Sequence, residues 1–512
     1  MTTATTPDEV RVRDAGEGDL VADKGLRRNI IGLLGGTVLG IVETAETYSI
    51  AVTLGFLVIA VGAQAPAALI LGFIPILCMT IAERELVSRE PDAGTVFVWV
   101  GKALGPRLGW IASWALLIAT FISLANLANV AGSYFFLLIG ANGAAGTQWA
   151  TILLGCSWLA VSTYLAVRGL EWSSRTQIIL LGIGLAVLSL FAGVAVVKLI
   201  AGTAGHQAIS FSAGWLNPFA IPSGAVASGL LLAIFFYWGW DGAATVVEET
   251  RGGTGTPRMA LALSAFALLA MFVVVTIIMQ AYAGVGTTGI GLANPNISSD
   301  VLAVVGDKVL GTGLGHLMKF AVMLSAAACL TASVVPTARS FLSMGVYKAL
   351  PEPFARVNRK TGSPAFSTIA VGIATAACLI ILSLLSNNVL GDSISAIVLL
   401  VAFYYVLTGI ACVVYFRGEL FRSVNNLLLK GILPLLGAGI LGWALVHNLI
   451  ASYKTSFGLT TILGIGGVFV IGVGAVLIGV VLMVIWNLRS RSFFRGETFT
   501  AGWAADHRPD LS

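Results

Sequence analysis

Long apolar runs separated by short polar stretches organise the whole chain. Most runs reach about 20 residues, the helix length needed to cross a hydrocarbon core of about 30 Å. The pattern predicts an all-α integral membrane protein with 12 transmembrane helices. The predicted spans, numbered in chain order, cover residues 29–60, 63–89, 107–140, 148–168, 175–200, 223–250, 258–285, 313–346, 365–386, 392–416, 427–449 and 460–487.

Spans 1 and 6 depart from the apolar pattern. Span 1 would be about 48 Å long as one straight helix, and it contains the polar run Glu43-Thr44-Ala45-Glu46-Thr47-Tyr48-Ser49. Span 6 carries Asp241 at membrane depth. Because span 6 comes five spans after span 1, the two helices enter from opposite sides of the membrane. Interrupted helices at corresponding places in inverted halves predict a transporter with its site near the bilayer midplane.

Composition agrees with a membrane protein and excludes most soluble classes. Of the 512 residues, 57% are hydrophobic and only 10% are charged, against about 25% charged in soluble domains. The 60 glycines suit closely packed membrane helices. The net charge of +5 follows from basic cytoplasmic loops rather than from nucleic-acid binding, so no nucleic-acid partner is expected.

Basic residues predict the orientation. Of the 29 lysines and arginines, only Lys198, Lys308, Lys319 and Lys454 fall on the outer side if the N-terminus is inside. Both termini are therefore expected in the cytoplasm, with the chain in the cytoplasmic membrane. The predicted organisation is an N-terminal tail (1–28), a first repeat of spans 1–5 (29–200), a second repeat of spans 6–10 (223–416), spans 11 and 12 (427–487) and a C-terminal tail (488–512).

No motif indicates an enzyme. The five cysteines all lie inside apolar runs, which supports neither disulfides nor a metal site. HExxH, GxSxG and phosphate-binding loop patterns are missing from the sequence, so no cofactor and no metal are expected.

Three groups of residues resemble a known family. They are Glu85-Leu86, Pro91, Gly94, Phe97, Trp99 and Ala103-Leu104-Gly105 after span 2; Gly239-Trp240-Asp241 and Glu248-Glu249-Thr250 in span 6; and Arg339 with Pro351 after span 8. Together they are similar to the amino acid–polyamine–organocation (APC) permeases. The resemblance implies the LeuT-like fold, with a 5+5 inverted repeat plus two C-terminal helices, and secondary transport of an amino acid or amine. Two features depart from it: the glycine-rich G-S-G-I-F of span 1 is absent, and only Pro257 remains of the prolines after the paired glutamates.

Two glutamates replace the family's carboxylate-binding segment in span 1. In the family, backbone N–H groups of the unwound segment bind the substrate carboxylate, whereas this chain has Glu43 and Glu46 there. Three residues apart, they are expected on one face of a helical turn, where they attract cations. The sequence thus favours a cationic amine or polyamine. A zwitterionic or cationic amino acid is the alternative, as is a structural role in which one glutamate is protonated or pairs with a base.

Other polar and aromatic residues complete the predicted site. Asp241 matches a coupling position of family antiporters, but it could instead cap the second half of span 6. The predicted substrate contacts are Glu43, Thr44, Glu46, Tyr48, Phe235, Trp238 and Asp241, and the further polar candidates are Asn126, Asn129, Thr331 and Ser333. For the last four, hydrogen bonds between helices are the alternative. Glu43, Glu46 and Asp241 are the expected proton carriers, with Glu85 as a further candidate.

The predicted partners are a small amine or amino acid, the lipid bilayer and a coupling proton. A receptor that does not transport could keep the same site, and accumulation of substrate in vesicles separates it from a transporter.

Overall fold

The computed structural model describes residues 24–385 and 389–500. Most of the predicted N-terminal tail and the last part of the predicted C-terminal tail lie outside these residues. Within them, ten helices are long and apolar enough to cross a membrane. The first, Leu33–Arg89, contains predicted spans 1 and 2, and span 6 is represented by the shorter apolar helix Ser223–Tyr237. Helices are the expected form because a hydrocarbon core offers the backbone no other hydrogen-bond partners.

The helices follow the predicted spans closely. Their bounds in chain order are Leu33–Val42 and Glu46–Val61 (spans 1a and 1b), Ala65–Arg89 (span 2), Pro106–Leu138 (span 3), Gln148–Val167 (span 4), Leu170–Ile200 (span 5), Val226–Tyr237 and Gly242–Thr245 (spans 6a and 6b), Gly255–Ala283 (span 7), Val301–Val346 with a kink at Gly311 (span 8), Ala365–Leu385 (span 9), Val389–Tyr415 (span 10), Leu433–Ser452 (span 11) and Gly467–Arg489 (span 12). Shorter helices are Val96–Leu104 (the loop helix), Asn142–Ala145, Val424–Asn426 and Arg491–Phe494.

The predicted start of span 12 is wrong. Residues 460–466 form a small hairpin in which strand Thr461–Ile462 pairs antiparallel with strand Ile465–Gly466. Asp392 of span 10 holds this hairpin, because its carboxylate accepts hydrogen bonds from the N–H groups of Leu459 and Thr460, both at 2.7 Å. The apolar residues of the hairpin extend the apolar run of span 12, so hydropathy alone does not separate the two.

Spans 1 and 6 are both interrupted where the sequence predicts it. Span 1a ends at Val42, Ala45 adopts a left-handed conformation with φ of 47°, and span 1b begins at Glu46. The Ser49 hydroxyl donates to the freed carbonyl of Thr44 at 2.7 Å. Span 6a ends at Tyr237, and span 6b begins at Gly242. Such broken helices are tolerated at membrane depth where side chains or neighbouring helices replace the missing backbone bonds.

The two breaks pack against each other. A Cβ atom added to Gly239 would lie 2.7 Å from the Glu43 carbonyl, and one added to Gly40 would lie 2.6 Å from the Trp240 carbonyl oxygen. Gly239 also has a φ of 111°, which side chains rarely allow. Glycine at these positions therefore permits the close contact between the first and sixth spans.

A buried ion cluster lies on the side of the protein that carries the loop helix. Lys24 lies before span 1, and its Nζ is 2.8 Å from Asp92 Oδ2 and 2.6 Å from Glu248 Oε1. The Tyr347 hydroxyl also donates to Asp92, at 2.9 Å. Burial alone would raise the pKa of the Asp92 carboxyl, but Lys24, the Gly94 N–H and Tyr347 together lower that pKa. Burial likewise opposes charge on Lys24, yet Asp92 and Glu248 raise the pKa of its ammonium group.

Residues 491–499 cover the outside of the loop helix. The rings of Phe493 and Phe499 lie 5.6 and 5.7 Å from the ring of Phe97. Phe499 also packs 5.1 Å from the ring of Tyr347, and a Cβ added to Gly101 would lie 2.7 Å from the Phe499 ring. The segment after span 12 thus forms part of the folded core.

Candidate functional site

The breaks of spans 1 and 6 open onto a cavity of about 50 Å³, enough for a few water molecules. The cavity extends from the breaks toward the loop helix. Its polar lining consists of Glu43, Glu83, Thr95, Thr120, Ser123, Asp241, Thr245, Ser333, Thr337 and Ser340, with Trp99 and Trp238 among its apolar walls.

Three carboxyl groups line this cavity: Glu43 of span 1, Glu83 of span 2 and Asp241 of span 6. Glu43 Oε2 and both oxygens of Glu83 are buried without a hydrogen-bond partner among the described residues. Asp241 Oδ2 accepts a hydrogen bond from the Tyr405 hydroxyl at 3.4 Å. The described residues that line the cavity include no lysine, arginine or histidine. Such a site attracts cations and repels anions.

Four of the predicted site residues line the cavity: Glu43, Trp238, Asp241 and Ser333. The Trp238 indole N–H donates to the Tyr404 hydroxyl at 2.6 Å, which fixes the orientation of the ring. Asp241 precedes span 6b, but its side chain makes no capping hydrogen bond. The alternative interpretation of Asp241 as a side-chain helix cap is therefore wrong, and its carboxylate faces the cavity instead.

The prediction that Glu43 and Glu46 share one helical face is wrong. The left-handed turn at Ala45 places Glu43 at the end of span 1a and Glu46 at the start of span 1b. A Cβ added to Gly242 of span 6 would lie 2.0 Å from Glu43 Oε2, whereas one added to Gly184 of span 5 would lie 3.5 Å from Glu46 Oε1. The two carboxylates thus face different spans, and Glu46 is not among the residues that line the cavity.

The remaining predicted contacts with the substrate lie beside the cavity rather than on its wall. The Thr44 hydroxyl donates to the carbonyl of Ile41 at 2.7 Å, within its own turn. Tyr48 and Phe235 are buried in the core, with 3% and 6% of their surface exposed. None of these three residues is among those that line the cavity in this conformation.

The polar candidates of spans 3 and 8 divide between cavity and helix contacts. Asn126 donates to the Ser393 hydroxyl of span 10 at 2.8 Å, and Thr331 donates to the Ser162 hydroxyl of span 4 at 3.1 Å. Both therefore hold neighbouring helices together, which is the alternative stated for them. Ser333 lines the cavity, while Asn129 is half-buried and does not.

Glu83 is the residue of the cavity that the sequence patterns missed. It lies two positions before Glu85 in a run of charged residues at the end of span 2, so it reads as part of a solvated helix end. In the structure it is 1% exposed, while Glu85 pairs with Arg258 at 3.1 Å. The spacing along the helix was the available signal for its burial. Glu83 lies four residues after Met79 and three after Thr80, so it shares a helix face with these two buried residues.

Comparison with known proteins identifies relatives of this architecture. A model of the amino acid permease family matches residues 29–445. The vacuolar cationic amino acid transporter 4 of Arabidopsis thaliana is 22% identical over 310 residues, which are 57% of this chain and 48% of that protein. The mitochondrial cationic amino acid transporter 3 of the same plant is 20% identical over 312 residues, with the same 57% and 48% coverage. The chain thus spans about half the length of the curated relatives it matches.

The fold itself matches a solved structure. The crystal structure of MhsT in complex with L-phenylalanine superposes with a TM-score of 0.59 at 15% sequence identity, covering 82% of this chain and 99% of that chain. At this identity the likeness concerns the fold alone. It confirms the predicted all-helical membrane protein with a LeuT-like fold.

Proposed function

Because the chain belongs to the amino acid permease family, within the APC superfamily, we propose that it is a secondary active transporter for a cationic amino acid. The chain is a multi-pass membrane protein of a transporter family and not an enzyme. The observation that carries the proposal is the cavity at the two helix breaks, where Glu43 and Asp241 lie without a basic side chain among the described lining residues. We place the chain in the cytoplasmic membrane with both termini in the cytoplasm.

The cavity favours a substrate with net positive charge. At 4 Å, the attraction between an ammonium group and one carboxylate is about 1–4 kcal/mol, depending on the local dielectric. The indole face of Trp238 lies on the same wall and suits an alkylammonium through a cation–π contact. The curated relatives carry the words cationic amino acid transporter in their names, which agrees with this choice.

A cationic amine without a carboxylate is the second candidate. Glu46 occupies the first turn of span 1b, where the positive end of a helix favours an anion. An internal carboxylate at this position competes with the carboxylate of an amino acid. This single feature favours the amine.

Matched ligands distinguish the candidates. Lysine and cadaverine differ by one carboxylate, and norleucine lacks the side-chain ammonium of lysine. In a thermal-shift titration of the detergent-purified protein, we expect lysine to stabilise most, because it alone of the three has both the carboxylate and the side-chain ammonium. A ligand at 100 times its Kd adds about 2.7 kcal/mol to the stability of the protein. Stronger binding of cadaverine would establish the amine instead, and stronger binding of norleucine would show that the carboxylates do not hold the substrate cation. Lysine uptake into proteoliposomes then separates a transporter from a receptor.

Glu43 and Glu46 are expected to differ in their effect on binding. Changing Glu43 to Gln removes one carboxylate from the cavity and should weaken lysine binding by about 1.5–3 kcal/mol, the range for a hydrogen bond to a charged group. Changing Glu46 to Gln is the matched control and should alter the affinity by less than about threefold, since Glu46 does not line the cavity. Lysine titrations of both variants measure this difference. A larger loss of affinity in Glu46→Gln than in Glu43→Gln would indicate that the substrate ammonium binds nearer to span 5.

A further inference from the structure

Glu83 is the most deeply buried acid of the cavity. Its side chain is 1% exposed, and neither carboxylate oxygen has a hydrogen-bond partner among the described residues. Glu43 has one such oxygen, and Asp241 accepts a hydrogen bond from Tyr405. Glu83 is therefore the one acid lining the cavity, among the described residues, with both carboxylate oxygens buried and without a partner.

The described residues that line the cavity with Glu83 include no basic side chain. Asp241 of span 6 repels its charge, and span 10 presents the hydroxyls of Tyr404 and Tyr405 toward the same two acids. Glu43 of span 1 lines the other side of the cavity.

Two described bases near the neighbouring spans are engaged in ion pairs with other acids. Arg258 of span 7 pairs with Glu85 at 3.1 Å, and Lys430, just before span 11, pairs with Glu419 at 2.6 Å.

A proton is the cation that fits this position. No group of three or more His, Cys, Asp or Glu side chains in the described part of the chain is arranged to hold a metal ion. An ionised carboxylate without a partner is costly in a low-dielectric interior, and binding a proton removes that cost. Since Glu83 lines the cavity, the proton can leave to water when the cavity opens.

We propose that Glu83 holds the proton that this transporter exchanges during its cycle, while Glu43 and Asp241 hold the substrate cation. One proton binds a Glu83 oxygen while the cavity is closed, and it passes to water when the cavity opens to the other side. The inference rests on the proposed transport function, because the proton is detected through substrate uptake.

Two uptake assays on the full chain in proteoliposomes test the assignment, with radiolabelled lysine as the probe. The first measures lysine exchange at equal pH on both sides, and the second measures lysine accumulation driven by a pH gradient. In Glu83→Gln we expect exchange within threefold of the wild type and at least a tenfold loss of accumulation. Glu85→Gln is the matched control on the same span, and its ratio of accumulation to exchange should equal that of the wild type.

Two outcomes of the uptake assays overturn the proposal. One is a Glu83→Gln protein that accumulates lysine as the wild type does. The other is a loss of both exchange and accumulation in a folded Glu83→Gln protein, which makes Glu83 a substrate contact.

If the wild type transports no lysine, the proposed function fails by itself, and infrared spectroscopy still tests the proton site. The wild type should show a protonated carboxyl band that Glu83→Gln lacks, and Glu83→Asp should shift this band if the glutamine variant does not fold. An unchanged band in the folded variants contradicts the assignment.

Discussion

Replacing Gly239 by alanine is expected to reduce substrate uptake by roughly 100-fold. A residue with a side chain at a φ of 111° is strained by about 1–3 kcal/mol. The new methyl group would also lie 2.7 Å from the carbonyl of Glu43, and overpacking of this kind costs about 1–3 kcal/mol. Both effects act at the contact between the two helix breaks. Relief of the strain should therefore displace Glu43 and Asp241 from the cavity.

Gly182 provides the matched control for this substitution. It lies in span 5 with an ordinary backbone conformation, and a Cβ added there meets no atom within 4 Å. Gly182→Ala should therefore keep uptake within about twofold of the wild type, since surface substitutions of this kind change stability by about 0.5 kcal/mol or less. Initial rates of uptake, normalised to the amount of folded protein, measure both variants. Equal rates in Gly239→Ala and wild type would show that the close approach of the breaks is not needed for transport.

Replacing Lys24 by methionine is expected to destabilise the protein by about 3–5 kcal/mol. Lys24 and Asp92 are fully buried, and the Glu248 side chain is 15% exposed, so the substitution leaves two buried carboxylates without their cation. Unfolding of the detergent-purified protein measures the loss. Adding Asp92→Asn to Lys24→Met should recover part of it, because one unpaired charge is then removed.

An exposed ion pair of the same chain gives the control. Arg356 and Glu352 lie four residues apart with side chains 48% and 76% exposed. Arg356→Ala should change stability by less than about 1 kcal/mol, because water and salt screen such pairs. A Lys24→Met protein as stable as Arg356→Ala would contradict the role of the buried cluster.

The effect of Lys24→Met should also be larger at pH 8 than at pH 6, because burial raises the pKa of the Glu248 carboxyl and the substitution removes the cation that lowers this pKa. The contribution of Asp92 is present above its ordinary pKa of 3.8 and is lost only as the pH falls through the lowered value. The contribution of Lys24 is present below its ordinary pKa of 10.5 and is lost only as the pH rises through the raised value. Neither of these limits lies near neutral pH, so the difference between pH 6 and pH 8 comes from the protonation of Glu248 in the variant.

The sequence predicts the helix breaks because charge and lipid are incompatible. Glu43 and Asp241 interrupt long apolar runs, and an acid at membrane depth requires either a partner or a cavity. The number and order of the spans follow from the same reasoning. Hydropathy fails at residues 460–466, where an apolar hairpin and an apolar helix start have the same composition.

The details of the site depend on packing that the sequence does not encode locally. Ala45 is a helix-forming residue, so nothing in its identity marks its left-handed conformation. The turn at Ala45 directs the carboxylates of Glu43 and Glu46 toward different spans. Glu83 is similar, because it is buried although its neighbours Arg84 and Glu85 are charged.

The aromatic segment after span 12 has a consequence for biosynthesis. The loop helix Val96–Leu104 is made early, but Phe493 and Phe499 complete its packing. About 400 residues separate Gly101 from Phe499, and at 5–20 residues per second the ribosome needs roughly 20–80 s to make them. Throughout that time the nascent chain leaves the surface around Phe97 without its final cover. Maturation of this face is therefore post-insertional: it ends only after every membrane helix has been synthesised.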